Sequence, residues 1–200
     1  DVAFMVMMAG LGIPGDSILY LQGELIQRAE GMSEEEIQKS VKTQREIFSI
    51  VKNSNDDEKL EADLKEKFYA EYSTMTEEEK TKLCDPEVYL NMQIKTITSP
   101  WFKYFLRFDP VPVLEKVKCP VLAINGEKDL QVPPKENLSA IELALKKGGN
   151  NNFEVKLLPG LNHLFQTSTT GAISEYGKIE ETISPTALQT MLDWIKGITK

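Results

Sequence analysis

The chain has 200 residues, 41% hydrophobic and 27% charged, which fits one globular domain, or one and a fraction, able to bury a core. Its net charge of −8 argues against nucleic acid or an anionic membrane as a partner, since both need clustered Lys and Arg. Cys84 and Cys119 lack metal-ligand spacing and His163 is the sole histidine, which excludes the common zinc sets, so no metal or organic cofactor is expected.

No apolar run reaches membrane-spanning length, and no signal peptide is visible. Residues 2–8 (V-A-F-M-V-M-M) have no polar interruption and are broken off by Gly10, Gly12, Pro14 and Gly15. The run reads as a short strand buried on both faces. A buried strand at the start of a chain implies a neighbour supplied from elsewhere.

From about residue 16 to 108 the texture becomes charged and helix-periodic. Asp16 or Ser17 can cap a helix carrying Ile18, Leu21, Leu25 and Ile26 on one face. Ser33 with Glu36 forms a capping box before Ile37, Val41, Phe48 and Val51, and Leu60, Leu64 and Phe68 give the next stripe. Thr76 with Glu79 is a second box, and Asp85-Pro86 starts a helix bearing Val88, Tyr89 and Met92. Ser99-Pro100 starts W-F-K-Y-F-L-R-F, aromatic enough for Trp101, Phe102 and Phe105 to line a pocket, although such a stripe is commonly plain core. The acidic triplets at 34–36, 56–58 and 77–79 are first-turn carboxylates favouring the helix dipole, without a catalytic role.

Asp109-Pro110-Val111-Pro112 reads as a stiff linker. Pro120 suits the mouth of a strand, and Val121, Leu122, Ala123 and Ile124 then read as a strand buried on both faces. Asn125-Gly126 breaks the run into a turn that lifts Glu127, Lys128 and Asp129 off the sheet. Pro133-Pro134 opens a helix with Leu138, Ile141 and Leu145, closed by Gly148-Gly149. A strand over 153–158 runs into Pro159-Gly160-Leu161-Asn162-His163. Residues 166–181 have no pattern that places them, and Ser184-Pro185 caps a last helix with Leu188, Met191, Leu192 and Ile195. Strand, helix, strand, helix is the signature of a parallel sheet with helical crossovers.

An acid just after one strand and a histidine just after the next is the arrangement of two members of a nucleophile–His–Asp triad. The run I-N-G-E-K-D-L-Q-V-P-P at 124–134, followed by L-P-G-L-N-H-L-F at 158–165, resembles the C-terminal half of an α/β-hydrolase, in the bacterial esterase and serine-aminopeptidase-like branch. The resemblance implies an α/β fold with a mostly helical cap inserted between core strands. Residues 1–13 would be a core strand, 14–115 the cap and 116–200 the C-terminal part of the core. It also implies Asp129 as the orienting acid and His163 as the general base, with Glu127 the fallback acid and Trp101, Phe102 and Phe105 on a pocket wall.

The family's nucleophile sits on a G-x-S-x-G elbow, and no such motif exists here. Gly15-Asp16-Ser17 lacks a strand–elbow–helix setting, and Ser168 lies in the patternless stretch. The expectation is therefore a C-terminal fragment of a serine hydrolase acting on carboxylic esters or related acyl substrates, inert by itself. An Asp nucleophile would make the parent a dehalogenase or epoxide hydrolase, and a Cys nucleophile a dienelactone-type hydrolase. If the 200 residues are the whole product, a non-catalytic binding or assembly module is the remaining class. The open edge of the first strand is expected to be covered by a second copy or a swapped element.

Overall fold

The computed structural model describes residues 2–83 and 85–199. The side chain of Glu79 lies outside the described residues, as does Cys84, and the expected Thr76–Glu79 box falls there. The elements in chain order are β1 (Met5–Met8), α1 (Gly15–Ala29), α2 (Glu34–Asn53), α3 (Asp57–Thr74), α4 (Glu77–Lys82), α5 (Pro86–Ile97), α6 (Pro100–Arg107), α7 (Val111–Leu114), β2 (Val121–Gly126), α8 (Pro134–Lys147), β3 (Phe153–Leu158), α9 (Ile173–Tyr176) and α10 (Pro185–Ile198). They divide into two compact units, residues 1–38 with 109–200, and residues 39–108. The breaks fall inside α2 and after α6, where the sequence reading set the ends of the insertion at 14 and 115. The short helix α7, in the stretch expected to be linker, sends Leu114 into the core beside α8, so it belongs with the sheet.

The sheet unit is built on β2. Its strands lie in the order β1-β2-β3, all parallel, with Met5 opposite Val121 and Val121 opposite Phe153. All six residues of β2 are buried. Alternation along the strand sends Val121 and Ala123 to one face, against Leu138, Ile141, Ala144 and Leu145 of α8. It sends Leu122 and Ile124 to the other, with Leu158, Leu161, Phe165, and Ala187 and Trp194 of α10. A strand covered by helices on both faces must be apolar throughout, which is why this run is so plain in the sequence.

The strand β1 is shorter and less buried than expected. It covers Met5–Met8, Val2 is 71% exposed and Met8 41%, and its ladder is made with β2. Met5 and Met7 pack toward α8, and Phe4 and Val6 toward α10, where the Phe4 ring meets Trp194 edge-on at 5.8 Å. An edge strand receives helix cover on its faces but lacks the second neighbour that completes burial.

Helix ends follow the capping chemistry with two differences. Ser33 and Glu36 form the reciprocal box, Asp85 accepts from Glu87 N and Val88 N, and Ser99 and Ser184 cap as read. In α1, however, Pro14 is the cap residue, and Asp16 sits inside the first turn bonding Ser17 N. Asp56 also caps α3. At α8, Asn150 N bonds Leu145 O and Gly149 takes φ +77°, a left-handed helix stop.

Two helices turn a different face inward from the one expected. In α5 Leu90 and Ile94 are buried while Val88, Tyr89 and Met92 are exposed. In α10 Ala187 and Trp194 are buried, with Met191 and Ile195 partly so, and Leu188 and Leu192 are exposed. Within the unit of residues 39–108, α5 packs against α3 and α6. The Arg107 guanidinium donates to the carbonyls of Val51 at 2.7 Å and Lys52 at 2.9 Å, the open C-terminal end of α2.

Among the described residues the outer edge of β1 carries no partner strand. An unpaired apolar edge is a template for association, so sedimentation at rising protein concentration is expected to show self-association. A strictly monomeric species at high concentration would count against it.

Candidate active site

Parallel pairing of β2 with β3 makes both strands end at the same edge of the sheet, with Gly126 opposite Leu158. The loops that follow carry Asp129 and His163, and they are laced together. Glu127 N bonds Leu158 O and Lys128 N bonds Leu161 O, each at 2.9 Å. A Cβ at Gly126 would lie 2.2 Å from the Leu161 carbonyl oxygen and 2.6 Å from that of Asn162. Only glycine lets the two loops approach this closely.

The Asp129 side chain is completely buried and that of His163 is 28% exposed, and Asp129 Oδ2 lies 2.9 Å from His163 Nδ1. The other carboxylate oxygen accepts from Gln131 N at 2.9 Å and Val132 N at 2.8 Å, and Oδ2 also accepts from Asn125 Nδ2 at 3.2 Å. Four donors fix the plane of the carboxylate. An acceptor at Nδ1 places the ring proton there and leaves the Nε2 lone pair free. Glu127, the fallback acid, points elsewhere: its Oε2 accepts from Gly160 N at 2.9 Å.

The histidine is presented by a tight loop held by buried Asn162, whose Oδ1 accepts from Leu164 N and Gln166 N, both at 3.0 Å. The loop turns at Phe165, a non-glycine residue at φ +58°. Such a backbone costs roughly 1–2 kcal/mol. Burial of the Phe165 ring against Leu122 and Ile124 contributes roughly 1.5–3 kcal/mol, enough to hold the turn.

The patternless stretch over 166–181 is a strap across both loops. Lys128 Nζ donates to the carbonyls of Ser168, at 3.0 Å, and Thr169. Gly171, at φ +80°, backs onto the Lys128 carbonyl so closely that a Cβ would come within 2.0 Å of its oxygen. The Glu175 carboxylate takes the Ser168 hydroxyl and the N–H groups of Thr170 and Gly171, which hold it down at about 2. Ser168, weighed above as a nucleophile, therefore has its hydroxyl committed to Glu175, and Ser17 bonds its neighbour Asp16. Tyr176 ends α9 within the strap, its hydroxyl accepting from Gln131 Nε2 at 3.1 Å. Gln131, Asn162 and Tyr176 carry no role in the sequence reading, and Asn125 enters it only as part of the turn after β2.

The aromatic residues read as a pocket wall belong to the other unit. Trp101 is 67% exposed and stacks on Phe105 at 5.2 Å, while Phe102 packs edge-on against Phe48 at 5.7 Å. Among the described residues no group of three or more His, Cys, Asp or Glu is placed to hold a metal ion, and no helix is long and apolar enough to cross a membrane.

Two measurements test this geometry. In Asp129→Asn the Gln131 and Val132 N–H groups keep the amide oxygen, so the amide NH2 faces His163 and forces its ring into the Nε2–H tautomer. The ring 15N shifts of the lone histidine would report the switch, and an unchanged tautomer would sink the pairing. The Glu175 carboxylate titrates in the folded chain at about 2 against an ordinary 4.5, so its stabilisation is complete above 4.5 and is lost as pH falls toward 2. The Tm advantage of the native chain over Glu175→Gln is expected to shrink across that window, and a constant difference would refute the assignment.

A family model, the prolyl oligopeptidase family, matches residues 61–183, a stretch that includes both loops. No curated protein matches. Among solved structures, one named for the non-heme bromoperoxidase BpoC of Mycobacterium tuberculosis H37Rv is 14% identical with a TM-score of 0.37. That match covers 98% of this chain and 59% of the other, so the chain spans less than two thirds of its length. The family is a peptidase family, where the sequence resemblance pointed to the esterase and serine-aminopeptidase-like branch of the same fold. With the family model matching well over half its length, this chain belongs to the prolyl oligopeptidase family, of the α/β-hydrolase type.

Proposed function

We propose that the chain supplies the general base and the orienting acid of a serine hydrolase cleaving ester or peptide bonds. The observation that carries this reading is the 2.9 Å contact between buried Asp129 Oδ2 and partly exposed His163 Nδ1. A hydroxyl is a poor nucleophile until an imidazole takes its proton as it attacks the carbonyl carbon. With Nδ1 engaged by Asp129, Nε2 of His163 is the atom available to accept that proton, then return it to the leaving group. The acyl-enzyme is cleared by water activated in the same way. Through each proton transfer Asp129 holds the ring in one tautomer and stabilises the imidazolium.

The chain has no G-x-S-x-G elbow, so the nucleophile and its oxyanion donors come from outside these residues and the isolated chain is inert. Membership of a peptidase family supports amide as well as ester substrates. In this reading residues 14–115 are the inserted cap, and Trp101 stacked on Phe105 lies within it.

Turnover of an aryl ester and a peptide anilide tests the proposal. The isolated chain is expected to match its His163→Ala variant at background. Joined to a segment carrying a nucleophile elbow, it should turn over substrate, and His163→Ala should then lower the rate by about 10³-fold or more. Activity in the isolated chain that survives His163→Ala would overturn the triad assignment.

A further inference from the structure

The geometry points to Asn125 as a positioning residue for the acid, its side-chain amide holding Asp129 Oδ2 where His163 meets it. The inference rests on the reading that Asp129 and His163 act together, and concerns what fixes the acid.

Asn125 is the one polar side chain in β2 and is fully buried. Its Nδ2 donates to Asp129 Oδ2 at 3.2 Å and to the Val132 carbonyl at 2.8 Å. Val132 in turn gives its N–H to Asp129 Oδ1 at 2.8 Å. These three bonds, all between buried groups, close a ring through Asn125, Asp129 and Val132. The carboxylate is thereby held from two sides. Oδ1 is fixed within the acid loop by Gln131 N and Val132 N, and Oδ2 is fixed from the strand by Asn125. Among the described residues the only other bond to Oδ2 is that of the His163 ring, which is partly exposed. Without Asn125, the oxygen that faces the base would be steered by the base alone.

A second observation argues that the amide is not there for stability alone. Asn125 Oδ1 is buried and has no hydrogen-bond partner among the described residues. An unpaired buried acceptor is costly, and turning the amide over would not relieve it. Oδ1 would then face Asp129 Oδ2 and the Val132 carbonyl, both acceptors. An apolar side chain here would remove the orphan but could not donate to the acid. Asn150, ahead of β3, is the contrast. Its Nδ2 donates to the carbonyls of Val117 at 3.1 Å and Cys119 at 2.9 Å, and its Oδ1 accepts from Asn152 N at 2.9 Å, so that amide is paired at both ends. Asn125 forgoes one bond and keeps its donors on the acid and the acid loop.

Asn125→Leu and Asn125→Ala delete both donors. Each is expected to speed amide exchange at Gln131 and Val132 on the order of 3- to 10-fold and to lower the Nδ1–H tautomer fraction of His163, read from its ring 15N shifts. The amides of Ile141 and Leu145 in the sheet core should keep their native rates. Asn150→Leu removes a similar pair of bonds far from the acid in sequence and should leave the His163 ring shifts as they are. Ring shifts unchanged in both Asn125 variants would overturn the inference, as would an equal change in Asn150→Leu. Should neither Asn125 variant fold, the native chain still answers. Its Asn125 side-chain amide protons are expected to exchange far more slowly than those of the exposed Asn151, and equal rates would overturn the inference. Failure of the underlying pair is read separately, from an unchanged tautomer in Asp129→Asn.

Discussion

Parallel pairing of β2 with β3 is the constraint on which the candidate site depends. Two parallel strands end at the same edge of their sheet, so the loops leaving them emerge side by side whatever their sequences. The pairing holds because β2 is apolar on both faces and each face has a helix to cover it: α8 on one side, α10 on the other. Moving β2 by one residue in its ladder would exchange the two faces and carry Asp129 away from the histidine loop. The chemistry thus inherits its geometry from a register fixed by Val121, Leu122, Ala123 and Ile124, none of which bears a reactive group.

On that platform the loops are held by polar contacts of a different kind. Asp129 meets four donors, Asn162 closes the turn that displays the histidine, and the strap binds both loops from outside. Buried polar groups are costly when unpaired, so a network in which one carboxylate satisfies four donors has few alternative arrangements of similar energy. The sheet decides that the loops are neighbours, and the network decides which atoms face each other.

The parts legible in the sequence are those written in local chemistry. The β2 run, the Ser33–Glu36 box and the Asp85-Pro86 start each depend on residues a few places apart, and the placing of Asp129 and His163 just after β2 and β3 follows from the same strand readings. The strap was illegible because its bonds join residues far apart in the chain, such as Lys128 with Ser168 and Gln131 with Tyr176, and leave no period to detect. Choosing a helix face failed for a related reason. In α5 both Val88 with Met92 and Leu90 with Ile94 are apolar pairs one turn apart, and only neighbouring helices decide which is buried. The first strand was read as buried on composition alone, which does not tell an edge from a centre.

Gly126 gives this arrangement a particular fragility. It has no side chain to react, donate or pack, yet its missing methyl group is the space into which the carbonyls of Leu161 and Asn162 fit. A change there would leave Asp129 and His163 chemically intact and every strand apolar, while pushing one loop off the other by the width of an atom. The distance between acid and base is thus stored partly in an empty volume, at a position that a search for reactive groups would pass over.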